Sequence, residues 1–170
     1  MLDADRITIC GEESFGTGST HVREKDGLWA VLAWLNVLAV TGKSMHALAT
    51  AHWQQFGRHY YQRHDYDELP TEKAQAVMDA VKSHFSALPG QTLGEWTVSA
   101  ADEFAYDDPI DGSRATAQGL RVVFGDAARL ILRLSGTGTK GATLRIYFER
   151  YEQAEDKLAM STREALTPLV

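Results

Sequence analysis

At 170 residues the chain is long enough for one ordinary domain, or for one domain and part of another. Hydrophobic residues make up 44% and charged residues 24%, the balance of a folded globular protein. Seventeen basic side chains against 23 acidic ones leave a net charge of −6, which favours solubility and excludes a general nucleic-acid-binding surface.

Residues 6–10 read as a short strand running straight into a glycine-rich loop over 11–18. No basic segment followed by an apolar run opens the chain, so a signal peptide is not expected. The abrupt start suggests a strand whose sheet neighbours lie outside the chain. Residues 28–40 follow as a helix that is apolar on nearly every face, interrupted only by Asn36, and such a helix needs neighbours on all sides. Its 13 residues fall short of the roughly 20 that span a bilayer, so it is expected to be a core helix, and no membrane partner is expected. Both features are signs of truncation, and residues 1–40 are expected to be poorly packed.

Ser44 is placed to cap a second helix through 56, with Gly57 ending it. Residues 58–69 alternate aromatic and charged residues and read as a connector that becomes a strand. Thr71 opens an amphipathic helix in which Ala74, Val77, Met78, Val81, Phe85 and Leu88 recur at helical spacing, and Pro89-Gly90 stops it. Short β-rich runs follow at 96–101, 120–124, 129–134 and 142–150, with Gly125-Asp126 suited to a tight hairpin. Ser161 and Glu164 form a capping-box pattern for a last helix running to residue 170. The second half is therefore α+β, an antiparallel sheet with two covering helices, the Thr71 helix and the C-terminal one.

Residues 133–145 carry the densest chemistry. Gly136, Gly138 and Gly141 allow tight turns in which successive amides converge on one anion. Ser135, Thr137 and Thr139 add hydroxyls, Lys140 lies among them, and Arg133 and Arg145 flank the stretch. Guanidinium groups match phosphate oxygens with paired, charge-assisted bonds. The Walker spacing is absent, and the alternation after residue 141 is that of a strand, which excludes a P-loop and a dinucleotide fingerprint. A hairpin loop with incidental arginines has the same composition.

In the first loop, Glu12 and Ser14 are two apart and face a common side if the chain is extended, while Glu13 faces away. A carboxylate and a hydroxyl suit neighbouring sugar hydroxyls. Arg23, Lys25 and Asp26 read from the residues alone as the solvated entry to the apolar helix. The six histidines show no zinc spacing and read as structural or surface residues, with His21 the exception nearest the loop. Cys10, the only cysteine, reads as a small buried hydrophobe; it excludes an internal disulfide and fits a reducing, cytoplasmic setting. Asp102, Asp107, Asp108 and Asp111 read as loop and turn residues.

Two stretches carry a resemblance. Cys10-Gly-Glu-Glu-Ser-Phe-Gly-Thr-Gly-Ser, with His21-Val-Arg-Glu-Lys-Asp-Gly-Leu-Trp, resembles the sugar-binding loop and following helix of domain three of the phosphoglucomutases. Arg133-Leu-Ser-Gly-Thr-Gly resembles the phosphate-binding loop of their domain four. His52-Trp-x-x-Phe-Gly-Arg and Asp108-Pro-Ile-Asp-Gly-Ser are similar as well, so the resemblance runs through the whole chain and points to the glucose branch of the α-D-phosphohexomutases. It implies the end of an α/β sugar-binding domain three over 1–42, a linker helix and connector over 43–70, and a TATA-binding-protein-like phosphate-binding domain four over 71–170.

The resemblance further implies an enzyme that interconverts glucose 1-phosphate and glucose 6-phosphate through a phosphoserine and glucose 1,6-bisphosphate. By matching position, Glu12, Ser14 and Lys25 would hold the sugar, and Arg133, Ser135, Gly136, Thr137, Thr139 and Arg145 the phosphate that is not being transferred. The family's Thr-Ala-Ser-His-Asn-type serine motif and its Asp-x-Asp-x-Asp loop for Mg²⁺ do not occur here. The expectation is a C-terminal part whose partners are the missing N-terminal domains and the glucose phosphates, and which is inactive alone. The competing readings are a stand-alone, non-catalytic sugar-phosphate-binding module and a scaffold that keeps the fold for protein contacts.

Overall fold

The computed structural model describes residues 1–12, 16–138 and 141–170, with the backbone alone for 136–138. Its contacts group the chain into two units, Met1–His52 with Asp108–Gly112, and Trp53–Asp107 with Ser113–Val170.

In the first unit, β1 (Ile9–Gly11) pairs antiparallel with β2 (Thr17–Ser19), and α1 (Gly27–Thr41) follows. The strand expected over 6–10 is therefore shorter and later. Residues 1–6 turn instead, with the Asp5 amide donating to the Leu2 carbonyl and the Arg6 amide to that of Met1. The strand also finds a partner within the chain, because the stretch expected to be loop supplies β2. Asp26 caps α1, its Oδ1 accepting from the Trp29 amide at 2.9 Å. Gly42, in the left-handed conformation, closes the other end onto the Leu38 carbonyl. No residue of α1 is buried; Leu28 is 77% and Val40 86% exposed. The core helix expected from its composition is thus an uncovered one. α2 (Met45–Phe56) starts where Ser44 Oγ accepts from the Ala47 amide.

The second unit opens with β3 (Arg58–Leu69), a strand along the whole of the segment that reads as a connector becoming a strand. α3 (Thr71–Ser83) comes next, then β4 (Thr92–Leu93), β5 (Trp96–Thr97), β6 (Ala100–Glu103), β7 (Tyr106–Asp107), β8 (Arg114–Ala115), β9 (Leu120–Phe124), β10 (Ala128–Gly138), β11 (Gly141–Glu152) and α4 (Thr162–Leu166). A five-stranded antiparallel sheet has the order β3-β11-β10-β9-β6, and β4-β5 and β7-β8 are small separate pairs.

α3 ends at Ser83, not near residue 88 as its apolar spacing suggests. Ser83 Oγ donates to the Ala80 carbonyl, and His84 Nδ1 lies 2.8 Å from the same oxygen, so side chains occupy the acceptor that another helical turn would need. The strand expected over 96–101 is divided between β5 and β6. The capping box forms as expected, with Ser161 Oγ accepting from the Glu164 amide and Glu164 from that of Ser161. The helix it opens lasts only five residues, because Pro168 has no amide to continue it, and the chain finishes as a 3₁₀ turn.

Alternation decides what the sheet buries. Leu120, Val122 and Phe124 of β9 and Leu144 and Phe148 of β11 point to the face that α3 and α4 cover, where Ala74, Ala165 and Leu166 are fully buried. Tyr60 joins them, its hydroxyl donating to the Lys157 carbonyl at 2.6 Å. Arg58 lies between the rings of Trp53 and Tyr60 and donates to the carbonyls of Leu158 and Met160, tying the start of β3 to the C-terminal segment. The residues between the inward ones, Arg129, Arg133, Arg145 and Glu149, belong to the opposite face by the same alternation.

Candidate functional site

The sugar-loop candidates lie in the first unit. The Glu12 amide donates to the Gly16 carbonyl at 3.0 Å. Beyond β2, buried Ser19 accepts from the amides of His21 and Val22, which reverses the chain. The Asp26 amide then donates to the Thr17 carbonyl. This turn brings Lys25 back to the end of β1, where its Nζ meets Glu12 Oε2 at 2.6 Å. Gly16 permits the close approach: a Cβ there would lie 2.9 Å from Lys25 Cδ. Glu12 and Lys25, 13 positions apart in the chain, thus form one accessible acceptor–donor pair. Ser14 lies outside the described residues, as do Glu13 and Phe15.

The phosphate candidates lie on the β10–β11 hairpin of the second unit. Strand pairing continues to Gly138↔Gly141, with an irregularity between Ser135 and Gly138, so the stretch read as a glycine-rich loop is largely the extended end of a hairpin. Gly141 takes φ +101° and sits so close to β3 that a Cβ would lie 2.7 Å from the Leu69 carbonyl oxygen. Arg133 is directly opposite Arg145, and Ser135 directly opposite Thr143. Side chains of such pairs share a face, with Cβ atoms about 4.5–5.5 Å apart. Two guanidinium groups and two hydroxyl residues therefore converge at one strand end. Like charges directly opposite destabilise a sheet, and an anion between them reverses the sign. Gly136 and Thr137 belong to β10, and Thr139 and Lys140 lie outside the described residues. Arg133 also lines a cleft of about 240 Å³ with Leu134, Gln118, Gln75, Asp79 and Lys82.

Two carboxylates that sequence reasoning passed over border this hairpin. Asp65 of β3 is directly opposite Arg145, with Oδ2 at 3.8 Å from its Nε, and its other oxygen meets Arg63 Nε at 2.8 Å. Asp67 accepts from Thr143 Oγ1 at 2.7 Å. The signal was present in Arg63-x-Asp65-x-Asp67, charges at the period of a strand. Asp26 was legible too, as an aspartate just ahead of an apolar helical run.

Other candidates take different places. Cys10 is exposed on β1, not buried, because neither face of that short strand is covered. Asp102 is a strand residue, not a turn residue: both its oxygens accept from Arg121, and that bond holds its carboxyl below the usual range. Asp107 lies in β7, and Asp108 accepts from the Ile110 amide in a turn. His59 pairs with Glu149, and His64 packs on Phe148. Among the described residues no group of three or more His, Cys, Asp or Glu side chains could hold a metal ion, and no single helix is long and apolar enough to cross a membrane.

Known proteins resemble this chain along its whole length. Residues 58–170 match the family model described as "Phosphoglucomutase-1, C-terminal domain", and residues 1–56 the one described as "Phosphoglucomutase/phosphomannomutase, alpha/beta/alpha domain III". A phosphoglucomutase of Rhizobium radiobacter is 51% identical over 170 residues, covering all of this chain and 31% of that protein. A probable cytoplasmic phosphoglucomutase of Arabidopsis thaliana is 44% identical, covering all of this chain and 32% of that protein. Among solved structures, the open form of parafusin from Paramecium, titled an exocytosis-sensitive phosphoprotein and phosphoglucomutase, superposes with a TM-score of 0.85 at 46% identity, over 99% of this chain and 29% of that one. The chain spans less than a third of the length of these relatives. With the two family models matching 1–56 and 58–170 in turn, the chain belongs to the phosphoglucomutase family and corresponds to its C-terminal part.

Proposed function

We propose that this chain is the substrate-binding C-terminal portion of an enzyme that interconverts glucose 1-phosphate and glucose 6-phosphate through a phosphoserine and glucose 1,6-bisphosphate. The observation that carries the reading is the rung in which Arg133 faces Arg145 beside Ser135 and Thr143. Two fork-shaped cations at one strand end suit a phosphate dianion, which can accept paired bonds from both. In this reading Arg133, Ser135, Gly136, Thr137, Thr139 and Arg145 grip the phosphate that stays put, while Glu12, Ser14 and Lys25 bind ring hydroxyls. A mutase must accept its sugar in two orientations, and a mixed acceptor–donor pair such as Glu12–Lys25 bonds hydroxyls either way round.

The chain binds and orients; it supplies no phosphoryl acceptor in the family's serine motif. Phosphoryl transfer rests on positioning and charge neutralisation around a nucleophile, so the chain alone is expected to be inactive. In this reading the Mg²⁺ of the whole enzyme is held by an Asp-x-Asp-x-Asp loop, a motif this sequence does not contain. The reading divides the chain into a sugar-binding part over 1–42, a linker over 43–70 and a phosphate-binding domain over 71–170. A reducing cytoplasm suits the exposed thiol of Cys10.

An amide NMR titration of the chain with glucose 1-phosphate tests this. Saturable shifts at residues 133–145, abolished in Arg145→Ala, are expected. No shift at millimolar ligand would sink the phosphate assignment for this chain. Measurable mutase turnover by the chain alone would sink its inactivity.

A further inference from the structure

The face of the sheet opposite the Leu144–Phe148 core carries a row of charge across three strands: Arg133 on β10, Arg145 on β11 and Asp65 on β3, each directly opposite the next. Arg145 is partly exposed, yet its Nε is buried and has no hydrogen-bond partner among the described residues. A buried donor without an acceptor is costly, and it is uncommon in a folded protein. The nearest carboxylate oxygen is Asp65 Oδ2, at 3.8 Å, about one ångström beyond a hydrogen bond. Asp65 is meanwhile bonded through Oδ1 to Arg63, two positions earlier on the same strand face.

We propose that Asp65 is a positioning residue for Arg145, taking its Nε hydrogen so that the two terminal nitrogens are left for the phosphate. The inference rests on the reading of the Arg133–Arg145 rung as a phosphate site. A guanidinium has five N–H donors in a rigid plane, so fixing the Nε edge orients the remaining fork. Arg63 anchors the carboxylate from the other side, and Asp65 is the counter-charge that lets two arginines stand opposite each other without a ligand. Asp67 performs the parallel task for Thr143: a hydroxyl that donates its one hydrogen to Asp67 has none left for a phosphate. Thr143 is thus a spacer in the rung, and the hydroxyl donation falls to Ser135.

The sign of one substitution separates positioning from plain electrostatics. Asp65 is an anion beside an anion site, so charge alone predicts that Asp65→Asn tightens phosphate binding. Positioning predicts the reverse, a weakening of roughly five- to twentyfold, inside the range of coupling between residues in one network.

The experiment titrates inorganic phosphate into the wild-type chain, Asp65→Asn, Asp65→Glu, Arg145→Ala and the Asp65→Asn/Arg145→Ala double variant, following the arginine Nε–H resonances by NMR. Expected are weaker binding in Asp65→Asn, partial recovery in Asp65→Glu, and no loss in the double variant beyond that of Arg145→Ala. In the wild type the Arg145 Nε–H is expected downfield and slow to exchange, and Asp65→Asn is expected to move it. Unchanged or tighter binding in Asp65→Asn, with the Nε–H resonance unmoved, overturns the proposal. If the wild type binds no phosphate, the phosphate reading fails, and the Nε–H resonance still decides whether Asp65 holds Arg145. If Asp65→Asn does not fold, the wild-type resonance decides alone: a fast-exchanging Nε–H at the position of a solvated arginine overturns the proposal.

Discussion

The two units spend their apolar residues differently. α1 is apolar along nearly its whole length and buries none of them, whereas the five-stranded sheet buries alternate residues against α3 and α4. Hydrophobic stabilisation scales with apolar area withdrawn from water, not with apolar residues present. Composition alone would rank residues 28–40 as the core of this chain. The observed core is elsewhere, around Tyr60, Phe148, Ala165 and Leu166 and around Val98, Val122, Phe124 and Ala128.

The largest test of that contrast is a matched pair of leucines. Leu166→Ala removes a fully buried side chain and is expected to lower the stability of the second unit by about 2–5 kcal/mol. Leu35→Ala, on the exposed surface of α1, is expected to change stability by no more than about 0.5 kcal/mol. Urea denaturation followed through the amide signals of β9 and β10 measures both. Equal effects would mean that α1 is covered by this chain after all. A smaller effect is expected from Ser161→Ala, which removes the hydroxyl acceptor of the capping box and should cost about 1 kcal/mol in the same measurement. A neutral result would show that burial of Ala165 and Leu166 alone holds α4 in place.

The smallest effect is in acid. The Arg121 bond lowers the carboxyl of Asp102 below its ordinary value of 3.8 in the folded chain. The unfolded chain then binds the proton more readily, so the contribution is complete above the unfolded value and is lost as the pH falls through the folded one. Stability is expected to drop below pH 3.8 with a part that Asp102→Asn removes. The drop is small, because both partners are partly exposed and water screens them. An identical acid profile in Asp102→Asn would show that the pair contributes nothing.

Much of the architecture was legible because it depends on local patterns. The two-residue alternation from 120 to 124 and from 142 to 150 identifies strands with one buried face, and Ser161-x-x-Glu164 identifies a helix start. The misread elements fail where a side chain intervenes. Ser83 and His84 occupy the Ala80 carbonyl and stop α3 early, a competition that apolar spacing does not record. The aromatic and charged residues of β3 alternate without an apolar stripe, so the pattern reads as a connector that becomes a strand and not as a strand from its first residue. Its inward residue Tyr60 satisfies a hydroxyl at a carbonyl 97 positions away, which no window of sequence contains.

The sequence by itself determined the chemistry available at the site, since arginines, hydroxyls and glycines at 133–145 are a matter of residue identity and spacing. It likewise determined that residues 28–40 form a helix. Tertiary structure decided which of these groups meet. The register of β10 on β11 sets Arg133 opposite Arg145, and that of β11 on β3 brings Asp65 to Arg145 across 80 positions of chain. The turn held by Ser19 and Asp26 brings Lys25 to Glu12. Strand pairing and chain reversal are long-range events, settled by which hydrogen bonds and buried faces can be satisfied together, and that condition exists only in three dimensions.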